Sequence, residues 1–444
     1  KVSDMSSDTV YSTGWNLLNV STSMDNRRIL NDRRITRDEV LSSLVNLRQL
    51  TFEVTDACNL QCKYCGYGDL YFGYDKRETK FLAFEQGRIL LDYLVSLWRT
   101  CPAHSAAPRT YLSFYGGEPL MNMDFITRMV DYVEKLDVHR NFNFSMTTNA
   151  MLLDRYTDYL VEKRFHLLIS LDGDKYGQSY RVTHDGKNSF DRVYKNVKDL
   201  QAKYPDYFTR YVEFNAVLHN RNSVARTHDF IMREFGKKPT ISELNNSGIR
   251  PDKVEEFQQT YRNMIESLHE SENYEKLAEE MFVAEPNTHD LLLYLHQYSG
   301  NVFRDYNSLF LDESKLHYTP TGTCSPFSKK LFVTVNGKIL QCERIDHKFA
   351  LGQLSANGVS LDLDAIVARF NGYLEKLQRQ CSLCYRKRSC IQCMYYIEDL
   401  DATQPICRGY MNQETFEQYS SYCLAHLARH PHLYKKLMED VLID

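Results

Sequence analysis

"TDACNLQCKYCGYGDL", residues 55–70, sets three cysteines close together, Cys58, Cys62 and Cys65, with gaps of three residues and then two. The stretch that leads into it, "QLTFEVT", alternates Leu50, Phe52 and Val54 on one face, which is the pattern of a strand. A structural zinc site needs four protein ligands. A 4Fe–4S cluster also takes four thiolates. Three thiols on one loop therefore leave one iron without a protein ligand and open to a small molecule. The spacing alone also occurs in zinc sites.

Downstream the strand pattern recurs. "TYLSFY" runs to Gly116-Gly117, "FNFSMTTN" to Asn149, "HLLISLDG" to Asp172-Gly173, "VEFNAVL" to His219, and "KPTISEL" closes the series near residue 243. Helix-period stretches separate them, at 84–98, 123–136, 154–164, 190–202 and 223–235. Alternation with crossovers of this length predicts parallel βα units. Six units make an incomplete, TIM-like (β/α)6 barrel, with chemistry at the C-terminal strand ends. The expected domains are an N-terminal extension at 1–48, the partial barrel at 49–244 and a helical bridge at 245–318. A small cysteine-rich α+β domain at 319–410 and a C-terminal helix at 411–444 follow. In the extension, "TVYSTGWNLLNV" reads as a short strand pair and "TRDEVLSSLVNL" as a helix capped by Thr36. The clearest bridge helix is "PDKVEEFQQTYRNMIESLHE". "KLFVTVNGKILQC" reads as a hairpin turning on Asn336-Gly337 and ending at Cys342.

Composition excludes several classes. A formal charge of −4 gives no basic footprint for nucleic acid. No apolar run approaches the ~18 residues of a membrane span, so no membrane partner is expected. The first residues, "KVSDMSSDTV", lack the layout of a signal peptide. Twelve cysteines without an export signal point to metal ligands in a reducing cytoplasm rather than to disulfides.

The "CNLQCKYC" loop resembles that of the radical S-adenosylmethionine enzymes. The resemblance implies that the amino and carboxylate groups of S-adenosylmethionine chelate the open iron. Reductive cleavage then yields a 5′-deoxyadenosyl radical, which removes a hydrogen atom from an unactivated bond. Other positions carry the resemblance further. Gly116, Gly117 and Glu118 of "YGGEP" match the family's GGE motif, whose backbone receives the cofactor's amino group. Ser170 of "SLDG" resembles a cofactor-contacting serine. Asn149 of "TTNAML" matches a TNG turn with alanine for glycine. Arg181 matches an arginine of the pattern "SxDG…HDxxR" and is the expected carboxylate ligand. Gly177 and Gln178 stand where that pattern has His-Asp.

The C-terminal cysteines resemble the SPASM module of peptide maturases. Gly337 stands thirteen positions after Cys324, and Cys342 five further on. Then come Cys381, Cys384, Cys390, Cys393 and Cys407, with one residue fewer than the family has between Cys390 and Cys393. The resemblance assigns Cys324, Cys342 and Cys393 to one auxiliary 4Fe–4S cluster, and Cys381, Cys384, Cys390 and Cys407 to a second. That makes three clusters in all. Glu343 occupies the place where sulfatase maturases carry an aspartate base. Asp346 and His347 are nearby alternatives. Sulfatase maturases add a cysteine upstream of the first, and none stands between 245 and 323 here.

The expected function is maturation of a ribosomally made precursor peptide, with a cross-link through carbon, sulfur or oxygen as the product. Flavodoxin or ferredoxin is the expected type of electron donor. Two alternatives stand beside it: an anaerobic sulfatase maturase that makes formylglycine, and a zinc-bearing peptide-binding module without turnover. The 48-residue extension is shorter than a full winged-helix leader-binding domain. Of the remaining residues, Cys101 reads as a free thiol in a loop and Cys423 as a packed small side chain. His426, His430 and His432, with Pro431 among them, read as a helix break. Of the 31 tyrosines, some are expected to line a peptide groove.

Overall fold

The computed structural model of the chain describes residues 34–101, 109–298, 320–387, 390–397 and 399–441. The strand pair expected in "TVYSTGWNLLNV" lies outside these residues. The chain divides into two compact units. One comprises Thr36–Leu277 and Cys324–Val367; the other comprises Lys1–Ile35, Ala278–Thr323 and Ala368–Asp444.

The strands of the first unit are, in chain order, β1 (Gln49–Thr55), β2 (Gln61–Cys62), β3 (Arg109–Gly116), β4 (Asn141–Thr148), β5 (His166–Ser170), β6 (Arg181–Val182), β7 (Val212–Leu218), β8 (Thr240–Glu243), β9 (Leu331–Val333), β10 (Lys338–Leu340), β11 (Gly352–Ser355) and β12 (Gly358–Ser360). The six strands anticipated from the sequence are β1, β3, β4, β5, β7 and β8. They pair in that order and all in parallel. Helices Phe84–Thr100, Met123–Glu134, Leu153–Glu162, Phe190–Lys203 and Val224–Phe235 form the crossovers. Their limits follow local chemistry. Asn122 Oδ1 caps the second by accepting from the Phe125 N–H. Ser223 Oγ caps the last by accepting from the Arg226 N–H, and Gly236 ends it in the left-handed region at φ +66°.

The core lies against the sheet. Leu50, Phe52 and Val54 of β1 are fully buried, as their alternation requires. Thr51, Glu53 and Thr55 on the opposite face are buried too, as in sheets covered on both sides. Part of that covering comes from far along the chain: β9 pairs in parallel with β1, and β10, β11 and β12 follow antiparallel. The hairpin read from "KLFVTVNGKILQC" is therefore four further strands' entry onto the barrel sheet. Its turn differs from the expectation. The Gly337 N–H donates to the Thr334 carbonyl at 2.8 Å, so Val335 and Asn336 are the central residues and Gly337 follows at φ +80°. A type I turn followed by a left-handed glycine is the three-residue alternative to an Asn-Gly turn. A Cβ on Gly337 would fall 2.2 Å from the Leu354 carbonyl, which is a second reason for glycine there.

The stretch "PDKVEEFQQTYRNMIESLHE" is two short helices, Val254–Thr260 and Met264–His269. Tyr261 leaves the helix at ψ 143°, and Asn263 caps the next by accepting from the Glu266 N–H. The expected C-terminal helix is likewise two, Gln413–Arg429 and His432–Asp440, separated at His430-Pro431 as the histidine-proline cluster suggested. In the second unit these helices pack with Pro286–Tyr298. Leu291, Tyr294, Leu295, Leu424, Leu427 and Leu437 form the core, and Cys423 is the packed small side chain expected of it. Among the described residues no helix is long and apolar enough to cross a membrane.

Candidate functional site

The three-cysteine loop sits at the C-terminal ends of β1 and β3, and backbone geometry holds it there. The Gly117 N–H donates to the Thr55 carbonyl and the Glu118 N–H to the Ala57 carbonyl, both at 2.9 Å. No side chain fits at the two glycines. A Cβ on Gly116 would stand 2.2 Å from the Thr55 oxygen, and one on Gly117 2.0 Å from the Ala57 oxygen. The motif's two amides are thus used inside the protein. A ligand ammonium group needs acceptors, so carbonyl oxygens are what this turn offers it.

Glu118 does not face outward. It is 1% exposed and accepts from Thr148 Oγ1 (2.7 Å), the Asn149 N–H (2.8 Å) and the Leu120 N–H (3.1 Å). Burial nevertheless pushes its carboxyl up to about 7, with those three donors pulling the other way. Its bonds tie the end of β3 to the end of β4. Asn149 continues the chain of contacts: its Nδ2 reaches Asn59 Oδ1 at 2.7 Å and lies 3.8 Å from Cys58 Sγ. Ser170, 8% exposed, ends β5 and pairs in register with Asn215 in the middle of β7.

The loop's middle is gripped from the other side. β2 and β6 pair antiparallel, setting Cys62 opposite Arg181. Arg181 is 7% exposed and forms a two-pronged ion pair with Asp172, which is 0% exposed. The Tyr64 hydroxyl, between Cys62 and Cys65, donates to the same Asp172 carboxylate, and the Val217 N–H donates to it at 2.9 Å. Burial works against the charge on Asp172, but Arg181 and then His219 outweigh it, and the carboxyl is held far below its ordinary range. The resemblance implied Arg181 as the cofactor's carboxylate ligand; the structure brings it and Asp172 into one buried network that anchors the cysteine loop. The Gln178 departure is also explained: its Oε1 accepts from the Asp172 N–H at 2.9 Å and its Nε2 donates to Ser189 Oγ. His184, which the sequence did not single out, meets the Cys58 carbonyl through Nε2 at 2.8 Å.

Cys58, Cys62 and Cys65 are partly buried free thiols. Burial first, then their mutual repulsion, push Cys62 up to about 12, while burial pushes Cys58 to about 11. Buried neutral thiols side by side make weak hydrogen bonds, and a metal that takes their protons resolves that arrangement. Among the described residues no three His, Cys, Asp or Glu side chains converge as they would on a single ion. A cubane takes four thiolates, each on a different iron, so three thiols on one loop fit a cluster with one iron left open.

In the same unit, Cys342 follows β10. Gln341 Nε2 donates to the Cys324 carbonyl at 3.0 Å, tying the two cysteine segments together. Glu343 is largely buried and accepts from Lys330 Nζ at 3.0 and 3.2 Å. Burial alone would raise its carboxyl, but the Lys330 ammonium brings it below its ordinary value. It is a held carboxylate. Tyr67 and Tyr115 face it, with ring centroids 6.4 Å apart, and Tyr74 meets Tyr67 edge-on at 4.9 Å.

In the second unit Cys384, Cys390 and Cys407 are near enough to Cys381 for their charges to act on it. Burial, then the charges of the other three, push the Cys381 thiol up to about 12. Gln380 fastens Cys407 in both directions, accepting from its N–H at 2.9 Å and donating to its carbonyl at 3.2 Å. Gly322 passes so close that a Cβ would lie 2.4 Å from the Cys390 oxygen. Cys393, in this unit as well, caps the short turn Met394–Tyr396. Cys101 ends the helix Phe84–Thr100 and lies 3.9 Å from Thr100 Oγ1. None of the twelve cysteines is in a disulfide.

Residues 52–230 match the family model described as the Radical SAM superfamily. Among curated proteins the chain is 30% identical over 199 residues to the cysteine-type anaerobic sulfatase-maturating enzyme of Clostridium novyi (strain NT), covering 44% of this chain and 49% of that one. It is 24% identical over 241 residues to the radical SAM cyclopropyl synthase TigE of Paramaledivibacter caminithermalis, covering 53% and 48%. The chain thus spans about half the length of the curated relatives it matches. The solved structure of native anSMEcpe with bound AdoMet superposes on 88% of this chain and 99% of its own, with a TM-score of 0.57 at 18% identity. Native anSMEcpe with AdoMet and the Kp18Cys peptide gives a TM-score of 0.56, also at 18% identity, over 88% of this chain and 98% of its own. These structures share the fold: a parallel barrel sheet followed by a cysteine-rich C-terminal region.

Proposed function

Residues 52–230 of this chain are a radical S-adenosylmethionine domain, and from that premise we propose a radical peptide maturase. It acts on a ribosomally made precursor and joins two of its atoms in a cross-link. When bound, a 4Fe–4S cluster and S-adenosylmethionine supply an organic radical able to take a hydrogen atom from an unactivated C–H bond. The residues that would hold the cluster are Cys58, Cys62 and Cys65. The carbonyl oxygens of the Gly116-Gly117 turn would receive the cofactor's amino group, with Ser170 and Asn149 close by at neighbouring strand ends. Arg181 would meet the cofactor's carboxylate from its place in the Asp172 and Tyr64 network, which also keeps the loop in place.

The observation that carries the reading is the double anchoring of a three-thiol loop at the ends of parallel strands, by Gly116-Gly117 on one side and Asp172 on the other. A second supporting observation is the nearness of Cys384, Cys390 and Cys407 to Cys381, which would make a full ligand set for one auxiliary cluster. Cys324, Cys342 and Cys393 would serve the other. Glu343, ionised beside Lys330, would accept a proton from a substrate side chain. The peptide class of the substrate is supported by the peptide-bound anSMEcpe structure of the same fold. A flavodoxin- or ferredoxin-type donor would supply the electron.

A second reading, formylglycine formation, is favoured by the fold match over 99% of native anSMEcpe and by a carboxylate directly after Cys342. Products separate the two. Co-expression with the peptide encoded beside the gene is expected to remove two hydrogens without creating an aldehyde. A product that labels with hydrazide marks the second reading. Anaerobic reconstitution is expected to give about twelve irons per chain. Stoichiometric zinc in place of iron and sulfide would end both readings and leave a zinc-bearing peptide-binding module.

A further inference from the structure

Eight residues beyond Cys65 the chain is fastened to the segment that flanks Cys342. The His347 N–H donates to the Gly73 carbonyl at 2.8 Å, and the Asp75 N–H donates to His347 Nδ1 at 3.1 Å. His347 Nδ1 also lies 3.3 Å from Asp75 Oδ2, so the imidazole meets both the amide and the carboxylate of Asp75. The Asp75 carboxylate then spans the hairpin turn. Its Oδ1 accepts from Lys338 Nζ at 2.5 Å and its Oδ2 from Asn336 Nδ2 at 3.1 Å. Lys80 Nζ reaches Asn336 Oδ1 at 3.0 Å, and the Tyr74 ring meets His347 edge-on at 5.3 Å. Gly73 permits the approach. It lies at φ +97°, and a Cβ there would be 2.8 Å from Asp346 Oδ2. Asp75 and Lys338 are both more than half shielded from water, so this ion pair is screened less than a surface one.

We propose that Asp75 is a positioning residue that clasps the loop after Cys65 to the hairpin carrying Cys342 and Glu343, and so sets the separation between the radical-generating site and the auxiliary site. The inference rests on the peptide-maturase reading for its consequence, but not for its geometry. The reaction it serves needs one carbon–hydrogen bond presented between two sites. If their spacing drifts, cofactor cleavage continues while the radical misses its target.

The test uses the reconstituted full chain. Hydrogen exchange followed by mass spectrometry is expected to show slow exchange at the amides of Asp75 and His347, and at least tenfold faster exchange at both in Asp75→Ala. Pulsed electron paramagnetic resonance of the reduced protein is expected to give one narrow dipolar coupling between the Cys58/Cys62/Cys65 centre and the Cys342 centre. In Asp75→Ala that coupling should broaden at least twofold, with iron content and S-adenosylmethionine cleavage without peptide unchanged. Asp75→Asn, which keeps neutral hydrogen bonds, should fall between. Lys338→Met removes a single arm and serves where Asp75→Ala does not fold; it too should broaden the coupling. An unchanged coupling in every variant that folds overturns the proposal. A wild-type chain that binds no iron overturns the maturase reading instead, and the exchange measurement on that chain still decides whether the clasp exists.

Discussion

Arg181 and Asp172 form a two-pronged ion pair inside the protein, Nε to Oδ2 at 2.9 Å and Nη2 to Oδ1 at 3.0 Å. Both are almost wholly shielded from water, and the strand residue opposite Arg181 is Cys62. A charge pair in that position specifies where the cysteine loop lies, because either partner alone is a buried, uncompensated charge.

Asp172→Ala should therefore cost about 3–5 kcal/mol of stability. Urea unfolding of the chain measures it, and iron retention after reconstitution should fall in parallel. The carboxyl is held below its ordinary value, so its contribution is complete at neutral pH. It should disappear only as the solution becomes more acidic than the ordinary carboxylate range, when the folded state too takes up the proton. A variant that unfolds at the wild-type urea midpoint refutes the anchoring role.

Tyr64→Phe keeps the ring stacked on His219, centroids 5.4 Å apart, and removes only the hydroxyl that Asp172 accepts. Hydrogen bonds to charged groups are worth about 1.5–3 kcal/mol, and the loss should lie in that range. Asp172 retains Arg181 and Val217, so the iron should stay bound. Complete iron loss would mean the hydroxyl has a role beyond anchoring.

Glu53 on β1 is buried, and burial raises its carboxyl from 4.5 to about 7 although the Val335 N–H and Arg77 oppose the rise. A raised carboxyl favours the folded state in its protonated form. That advantage is full below the unfolded value and is lost as pH rises through the folded one. Glu53→Gln keeps an acceptor for Val335 and cannot ionise. It should match wild type at about pH 3.5 and exceed it by up to about 3 kcal/mol at about pH 9. Equal stability at both pH values would show that Glu53 is not shifted.

Gly117→Ala should be the most damaging of the small substitutions. Its methyl group would enter the Ala57 carbonyl, backbone that has no rotamer by which to yield. The expected cost is about 3 kcal/mol or more. Thermal unfolding measures it, and S-adenosylmethionine affinity by calorimetry should fall with it, since the same turn offers the carbonyl acceptors. Wild-type affinity would separate the turn from the cofactor.

The sequence was most legible where the information is local. The strands of the barrel announce themselves through alternation, as in Leu50, Phe52 and Val54, because successive side chains point to opposite faces. The helix ends follow Asn122, Ser223 and Gly236 for the same reason. The bridge was less legible: nothing in the 3.6-residue pattern of "PDKVEEFQQTYRNMIESLHE" marks the extended Tyr261 that divides it. The hairpin turn was misread by one residue, since Asn336-Gly337 serves either of two turn types and the choice is made by the Leu354 carbonyl lying against Gly337.

What the sequence alone determined is the donor set and its spacing. Cys58, Cys62 and Cys65 stand within eight consecutive residues, so one loop can carry all three. What only the tertiary structure decided is who holds that loop. Nothing local in the sequence pairs Arg181 with Asp172 or Glu343 with Lys330; burial side by side in the fold does. Covalent connectivity limits short-range geometry, whereas charge pairing and desolvation act between residues that the chain brings together from far apart.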